Sequence, residues 1–198
     1  MQNRSLLYGI GAVLALAGMI VTGAWSQSAG AASAQFTADG KLVRPVDYRR
    51  WVYVSSGFGM SYDANAGGNG EPAFTNVFVI PSAYNYFQAH GKWPDKTTFV
   101  LEIYGSTSKG SINKQGSFQK TFMGLDVEVK DEARFADKWA YFNFDGEEKS
   151  ASRAPEKNEC WKCHEQNAAV EHSFVQFYPE MLKVARAKGT IKPGVKVD

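Results

Sequence analysis

Cysteine is almost missing from this sequence, which contains only two cysteines in 198 residues. Both lie in one short stretch, Cys160-Trp161-Lys162-Cys163-His164. This leaves little room for a disulfide framework or for a zinc site made of four thiolates. Net charge is also small, with 22 basic and 20 acidic residues and a formal charge of +2 at pH 7. A nucleic-acid-binding domain would carry a clustered basic surface, so this balance argues against a nucleic-acid partner.

The cysteine-containing stretch has the Cys-x-x-Cys-His pattern of a c-type haem attachment site. In such a site the two thiols add to the haem vinyl groups, and the histidine binds the iron from one face. We therefore predict one haem c, covalently bound through Cys160 and Cys163, with His164 as an axial iron ligand. The second ring nitrogen of His164 is expected to donate to a backbone carbonyl or to water. A chance match or a redox-active cysteine pair is the alternative, but such a pair belongs beside a βαβ unit, and none is predicted here.

The N-terminal residues 1–34 have the features of an export signal. Arg4 supplies a positive charge, residues 6–25 are largely apolar, and Ala32-Ser33-Ala34 has the small-x-small form of a cleavage site. An uncleaved membrane anchor is the alternative, because the apolar run is nearly long enough to span a bilayer. In either case we expect residues 35–198 to form one exported domain. Its predicted location is the periplasm, because bacteria attach c-type haem outside the cytoplasm.

The exported part is predicted to be α+β, with a mostly antiparallel β-sheet packed on the haem and C-terminal helices that carry the motif. Runs of β-branched and aromatic residues predict strands at 51–54, 74–80, 97–104, 118–130 and 139–144. Glycine-rich loops are expected at 57–70 and 105–117. Helices are predicted at 82–90, 160–170 and 181–188, with one or two helical turns at 131–137. Ser82 is expected to cap the first helix and Gly91 to end it.

The second face of the haem decides between electron transfer and ligand binding. A sixth protein ligand would make an electron-transfer site, and methionine is the usual residue. Met60 lies in a glycine-rich loop and could reach the iron, whereas Met123 and Met181 are more simply packing residues. His90, at a helix end, and His172, before an aromatic run, are the other candidates. None of these positions strongly suggests ligation, so we expect an open or water-bound face that binds a small molecule.

Several segments, in order along nearly the whole exported part, resemble the cytochrome P460 family, which includes the cytochromes c′-β. They are Tyr48-Arg49-Arg50-Trp51-Val52, Phe78-Val79-Ile80-Pro81 with Tyr84, Trp93-Pro94-Asp95 with Val100-Leu101-Glu102, Met123-Gly124-Leu125, Lys130-Asp131 with Arg134-Phe135-Ala136, the cysteine motif, and Phe177-Tyr178-Pro179. The resemblance implies a mostly antiparallel β fold that clasps the haem between the sheet and C-terminal helices. It also implies a homodimer, binding of nitric oxide and, for the P460 enzymes, oxidation of hydroxylamine.

The resemblance assigns roles on the distal side of the haem. Arg49 matches a distal arginine, Glu102 matches a distal carboxylate that relays protons, and Ala136 falls in the distal pocket. From the residues alone, Glu102 is either a costly buried carboxylate with a function or a solvent-facing residue of an alternating strand. Arg49 is either functional or a solvated charge beside Arg50.

A lysine is missing where the P460 enzymes cross-link one to the porphyrin. The sequence has no lysine between Lys41 and Lys92, and the matching position is Asn76. Phe74 and Phe78 alternate with Asn76 and either offer a ring over the iron or belong to the core. We therefore predict binding of nitric oxide or a similar nitrogen species. Hydroxylamine oxidation, a peroxidase-like activity and six-coordinate electron transfer to an unassigned redox partner are the alternatives.

Overall fold

The computed structural model describes residues 33–61 and 72–197. Its strands are β1 Leu42–Val43, β2 Val52–Phe58, β3 Ala73–Val79, β4 Thr98–Thr107, β5 Phe118–Lys130, β6 Trp139–Asp145 and β7 Ser150–Ala151. Its α-helices are α1 Pro81–His90, α2 Glu159–Asn167 and α3 Pro179–Lys188. Most of the predicted signal segment 1–34 and of the predicted loop 57–70 lies outside the described residues.

One antiparallel sheet of five strands, in the order β2-β3-β4-β5-β6, organises the domain. Each strand pairs antiparallel with the next one in the chain, and α1 lies in the connection between β3 and β4. A smaller sheet joins β1 to β7. The predicted α+β class is confirmed, and so is strand β5, whose bounds agree with the predicted run at 118–130.

Alternation along the strands gives the sheet two buried faces. We call them the cavity face, which carries Val77, Phe99 and Leu101, and the opposite face, which carries Val100 and Leu125. Helices α1 and α3 cover part of the cavity face, where their side chains share one hydrophobic cluster with the strands. A second cluster covers the opposite face and includes residues from β1 and β7. Burial on both faces explains why the strands are rich in apolar residues throughout.

Local sequence signals account for the helix ends, with one correction. Gly91 adopts φ 67° directly after α1, and its N–H binds the carbonyl of Phe87, so it ends the helix as predicted. Ser82 is not the cap: the N-cap is Ile80, which has no capping side chain. Pro81 occupies the first turn instead, where its missing N–H costs nothing.

Two further predictions about helices need correction. Residues 131–137 form turns rather than helix, and the Asp131 side chain accepts the backbone N–H of Arg134 there. The predicted helix at 160–170 ends three residues early, at Asn167, because Ala168 is extended. Within residues 33–61 and 72–197, no helix is long and apolar enough to cross a membrane.

Candidate functional site

A cavity of about 400 Å³ lies between the cavity face and the chain that runs from α2 to α3. This volume is within the range of about 300–1,000 Å³ found for pockets that hold small ligands and cofactors. The sheet contributes mainly apolar walls, from Val77, Phe99 and Leu101. The other side contributes Cys160 and His164 of α2 and the aromatic residues Phe174, Phe177 and Tyr178. The cysteine motif therefore meets the sheet across a largely apolar space.

Helix α2 sets the positions of the motif residues. Asn158 caps the helix by accepting the N–H of Trp161, so the helix begins at Glu159, one residue before the motif. Cys160 and His164 are four residues apart and therefore lie on one side of the helix. Both line the cavity, which confirms that they lie on one side of the helix, whereas Cys163 lies outside the cavity lining.

The imidazole of His164 is held in one orientation. Its Nδ1 lies 2.6 Å from the carbonyl oxygen of His172, which can only accept, so Nδ1 donates its proton. This confirms the predicted backbone partner. The rings of Tyr141 and Phe174 pack on the imidazole at centroid distances of 4.7 and 4.5 Å. Because Nδ1 is engaged, Nε2 is the ring nitrogen left for a metal ion.

The electrostatic surroundings of His164 favour a positive or metal-bound ring. Burial lowers the pKa of His164, but the Glu128 carboxylate and the His172 carbonyl outweigh that effect, so the pKa is raised above its ordinary value. The Glu128 Oε1 atom lies 3.5 Å from Nδ1. A nearby carboxylate makes an imidazole a more basic ligand.

Two carboxylates that the sequence reasoning missed line the cavity. Asp126 and Glu128 are both on β5 and both point to the cavity face. Asn143 of β6 donates to Asp126 Oδ1 at 2.6 Å, and burial raises the pKa of Asp126. The available signal was the alternation Leu125-Asp126-Val127-Glu128-Val129, which resembles a strand with one solvated face. Here the polar side of that alternation faces the cavity.

Glu102 and Arg49, predicted to act on the distal side of the haem, are brought together by the structure but not at this cavity. Glu102 is only 3% exposed and lies on the opposite face, in register with Asn76 of β3. Its Oε1 accepts Tyr48 Oη at 2.5 Å and pairs with the Arg49 guanidinium at 2.6 Å. Its Oε2 accepts the Asn76 amide at 3.1 Å. The reading of Glu102 as a buried carboxylate is confirmed, and the solvent-facing reading is wrong, because the opposite face is a second core rather than solvent.

That cluster has the electrostatics of a structural ion pair. Burial and the Glu102 carboxylate raise the pKa of Tyr48 to about 12, so its hydroxyl stays protonated and donates. The hydrogen bond to Tyr48 and the charge of Glu102 raise the pKa of Arg49. Arg49 also donates to Tyr104 Oη at 2.6 Å. These partners satisfy Glu102 within the fold.

The remaining predicted pocket residues also lie away from the cavity. Phe78 packs edge-on against Tyr48 at 5.5 Å, and Phe74 packs against Phe58 at 4.4 Å. Ala136 is exposed in the turn between β5 and β6. The alternation of β3 explains this, since Asn76 and its phenylalanine neighbours occupy one face while Val77 occupies the other.

The candidates for a sixth ligand separate clearly. Met60 lines the cavity and is 44% exposed. Met123 is 56% exposed on β5, and Met181 is buried in the core that includes α3. His90 is exposed at the end of α1, and His172 is buried behind His164. Among these five residues, Met60 is the one that shares the cavity with His164.

The residues around the cavity fit a haem c. Cys160 and Cys163 are free, half-buried thiols on α2, available for thioether bonds. His164 offers Nε2, and the apolar walls of the cavity suit a flat macrocycle. None of the side chains of α2 is fully buried, because its inner side, with Cys160 and His164, faces the cavity rather than a packed core.

Comparison with known proteins agrees with this chemistry. The family model described as Cytochrome P460 matches residues 45–175, which cover most of the sheet, α1, α2 and the cysteine motif. No curated protein matches the chain.

Proposed function

The chain belongs to the cytochrome P460 family of haem c cytochromes, and on that premise we propose that it binds nitric oxide or a similar small nitrogen species at an open haem face in the periplasm. The observation that carries the proposal is the shared cavity, in which His164 and Cys160 face the apolar residues Val77 and Leu101. When bound, the haem supplies an iron atom that can take a small uncharged ligand. The protein supplies the axial nitrogen, the two thiols and a wall that keeps water away.

Asp126 replaces Glu102 as the carboxylate that we assign to the cavity, where its charge also acts on His164. It lies within the cavity lining, whereas Glu102 is enclosed on the opposite face. Because burial raises its pKa, Asp126 takes up a proton more readily than an exposed aspartate. A carboxyl group of this kind can hold or release a proton beside a bound nitrogen species.

Optical spectroscopy of the purified ferrous protein tests the proposal. We expect the spectrum to change on addition of carbon monoxide or nitric oxide, because the second haem face is open. A low-spin spectrum that neither gas changes would overturn it. Replacement of both Cys160 and Cys163 by alanine should abolish covalent haem retention in denaturing gels, which tests the attachment separately.

The absence of a lysine at position 76 is not an argument against hydroxylamine oxidation in this structure. Asn76, which matches the cross-linked position by resemblance, lies on the opposite face, so even a lysine there would point away from the cavity. A ferrous Soret band shifted far to the red would reveal a cross-link from some other lysine. If such a band were seen together with turnover of hydroxylamine, the proposed function would be hydroxylamine oxidation and not ligand binding.

Met60 supports a second candidate function, six-coordinate electron transfer. Its side chain lines the same cavity as His164, and its sulfur lies against Gly57. In that case the native ferrous protein would ignore carbon monoxide, and Met60→Leu would make it responsive. Met123→Leu is the matched control, because Met123 lies outside the cavity lining. A native protein that responds to carbon monoxide would exclude Met60 as a permanent ligand.

A further inference from the structure

A buried row of polar side chains lies directly behind His164. Glu128 Oε1 is 3.5 Å from His164 Nδ1 and accepts the Tyr141 hydroxyl at 3.2 Å. The Tyr141 hydroxyl is in turn 3.1 Å from His172 Nδ1, and His172 Nε2 is 2.8 Å from Glu165. The row therefore connects the motif histidine with a carboxylate that is half exposed at the surface.

Burial makes Glu128 expensive to keep. The residue is 9% exposed, and a buried carboxylate is strongly destabilising when it lacks a partner. Among the described residues its ion-pair partner is His164, in contrast with Glu102, which pairs with an arginine. Tyr141 faces Glu128 directly across the β5–β6 ladder. Burial and the Glu128 carboxylate raise the pKa of Tyr141, so its hydroxyl keeps the proton that it donates.

The turn that carries His172 directs two polar groups of this residue, the backbone carbonyl and the imidazole, toward the residues behind the cavity. Its backbone carbonyl accepts from His164 Nδ1, while its ring contacts Tyr141. The preceding residue, Glu171, has φ 51°, a left-handed conformation that is strained for a residue other than glycine. Lys130 at the end of β5 pairs with the Glu171 side chain at 2.8 Å. Strand β5 therefore contacts the turn of His172 through Lys130 and the imidazole of His164 through Glu128.

We propose that Glu128, held in place by Tyr141 and His172, is a positioning residue that fixes the His164 ring and strengthens its electron donation to the haem iron. This inference rests on the proposed function only in requiring that His164 binds the iron. The Nδ1 proton is donated to the His172 carbonyl, and the Glu128 carboxylate acts on the same N–H through its negative charge at 3.5 Å. Such groups behind a ligating histidine raise its basicity, and their loss typically changes metal binding about 10–100-fold. A more basic axial ligand stabilises ferric over ferrous iron, so it lowers the reduction potential.

The test compares Glu128→Gln with the native holoprotein by redox titration and resonance Raman spectroscopy. We expect the ferric-to-ferrous equilibrium to shift about tenfold toward ferrous iron, which corresponds to a potential higher by ~59 mV for one electron. The iron–histidine stretching frequency of the ferrous form should fall, because the bond weakens. Glu128→Asp should recover part of both effects.

Two further variants keep the test decisive. Glu102→Gln is the matched control, since it makes the same change at a buried carboxylate on the opposite face and should leave both readouts unchanged. Tyr141→Phe removes the hydroxyl that holds Glu128 and should give a smaller shift in the same direction, which also serves if Glu128→Gln fails to fold. An unchanged potential and frequency in both cavity-face variants would overturn the inference. His164→Ala checks the premise separately: retention of the native ligation spectrum there would refute the proposed axial role itself.

Discussion

The two faces of the central sheet both bury carboxylates, but they use them differently. On the opposite face Glu102 receives a tyrosine hydroxyl, an arginine and an amide, at 2.5, 2.6 and 3.1 Å. On the cavity face Asp126 receives one side-chain donor, Asn143, among the described residues. Glu128 receives Tyr141 and approaches His164. Glu102 is therefore saturated by the fold, whereas the cavity-face carboxylates keep acceptor capacity for chemistry.

Similar sequence signals thus arise from two different physical situations. A carboxylate between apolar neighbours in a strand can be buried and paired, exposed to solvent or part of a functional site. What packs against each face of the sheet distinguishes these cases. A carboxylate on a face that packs against a second core needs partners within the protein, whereas a carboxylate on a face that lines a cavity can keep free acceptor atoms. The next variants are designed to separate the two faces further.

The largest difference is expected between two leucines on neighbouring strands. Leu125→Ala should lower the free energy of unfolding by about 2–5 kcal/mol, because Leu125 is 1% exposed in the core of the opposite face. Leu101→Ala should cost less, since Leu101 already borders the cavity. Urea unfolding of both variants measures this. Equal losses, or a haem spectrum altered more by Leu125→Ala than by Leu101→Ala, would contradict the assignment of the faces.

Removal of Glu102 should be the next largest effect. Glu102→Ala leaves the Tyr48 hydroxyl and the Asn76 amide without their buried acceptor, and each such group costs about 1–3 kcal/mol. Because the Asn76 amide also donates to Gln119, we expect the total loss in the free energy of unfolding in the lower part of the summed range, about 2–4 kcal/mol. The haem spectrum and gas binding of the folded variant should match those of the native protein. A changed ligand-binding rate with unchanged stability would return Glu102 to a functional role.

The sequence was sufficient for the sheet and for the partner of the motif histidine. Strand β5 was predicted with its bounds, and the partner of His164 Nδ1 was predicted as a backbone carbonyl or water, because both depend on local pattern and local chemistry. Helix ends were predicted where glycine forces the backbone, as at Gly91, and missed where proline replaced a side-chain cap, as at Ser82. These are short-range effects.

The distal residues could not be placed because their position depends on which face the sheet turns toward α2. Asn76 and Val77 are neighbours, yet only Val77 lines the cavity. A shift of one position in a strand moves every side chain to the other face of the sheet. The sequence resemblance does not define the strand register, so it cannot decide which of the two residues lines the cavity. Glu102 and Asp126 illustrate the outcome, since each is a carboxylate in an apolar strand and only Asp126 faces the cavity.

A smaller effect is expected at Gly57, where the cavity face meets Met60. An added Cβ would lie 2.5 Å from the Met60 sulfur and 2.8 Å from the Thr75 hydroxyl, so Gly57→Ala must displace Met60. The cost to stability should be about 1–2 kcal/mol, as for other overpacked sites. Gly105→Ala is the control, because its nearest neighbour, the Met123 sulfur, is 3.7 Å away. If Met60 binds the iron, the spectrum of Gly57→Ala alone changes; if the iron is open, both variants keep the native spectrum and only the rate of gas binding differs.

The smallest and most specific effect concerns the charge on Asp126. Burial raises its pKa in the folded protein above the ordinary 3.8, so the folded state binds a proton more readily than the unfolded state. Stability is then lost as the pH rises from about 3.8 through the raised pKa, and Asp126→Asn, which cannot ionise, avoids that loss. The stability advantage of Asp126→Asn should therefore be absent near pH 3.8 and grow toward neutral pH in urea titrations. Asp39 provides the opposite sign, because its hydrogen bond from Thr37 lowers its pKa, and Asp39→Asn should be slightly less stable at neutral pH. If the stability advantage of Asp126→Asn stays constant with pH, the advantage comes from packing and not from the cost of a buried charge at the cavity. The proposed difference between the carboxylates of the two faces would then be wrong.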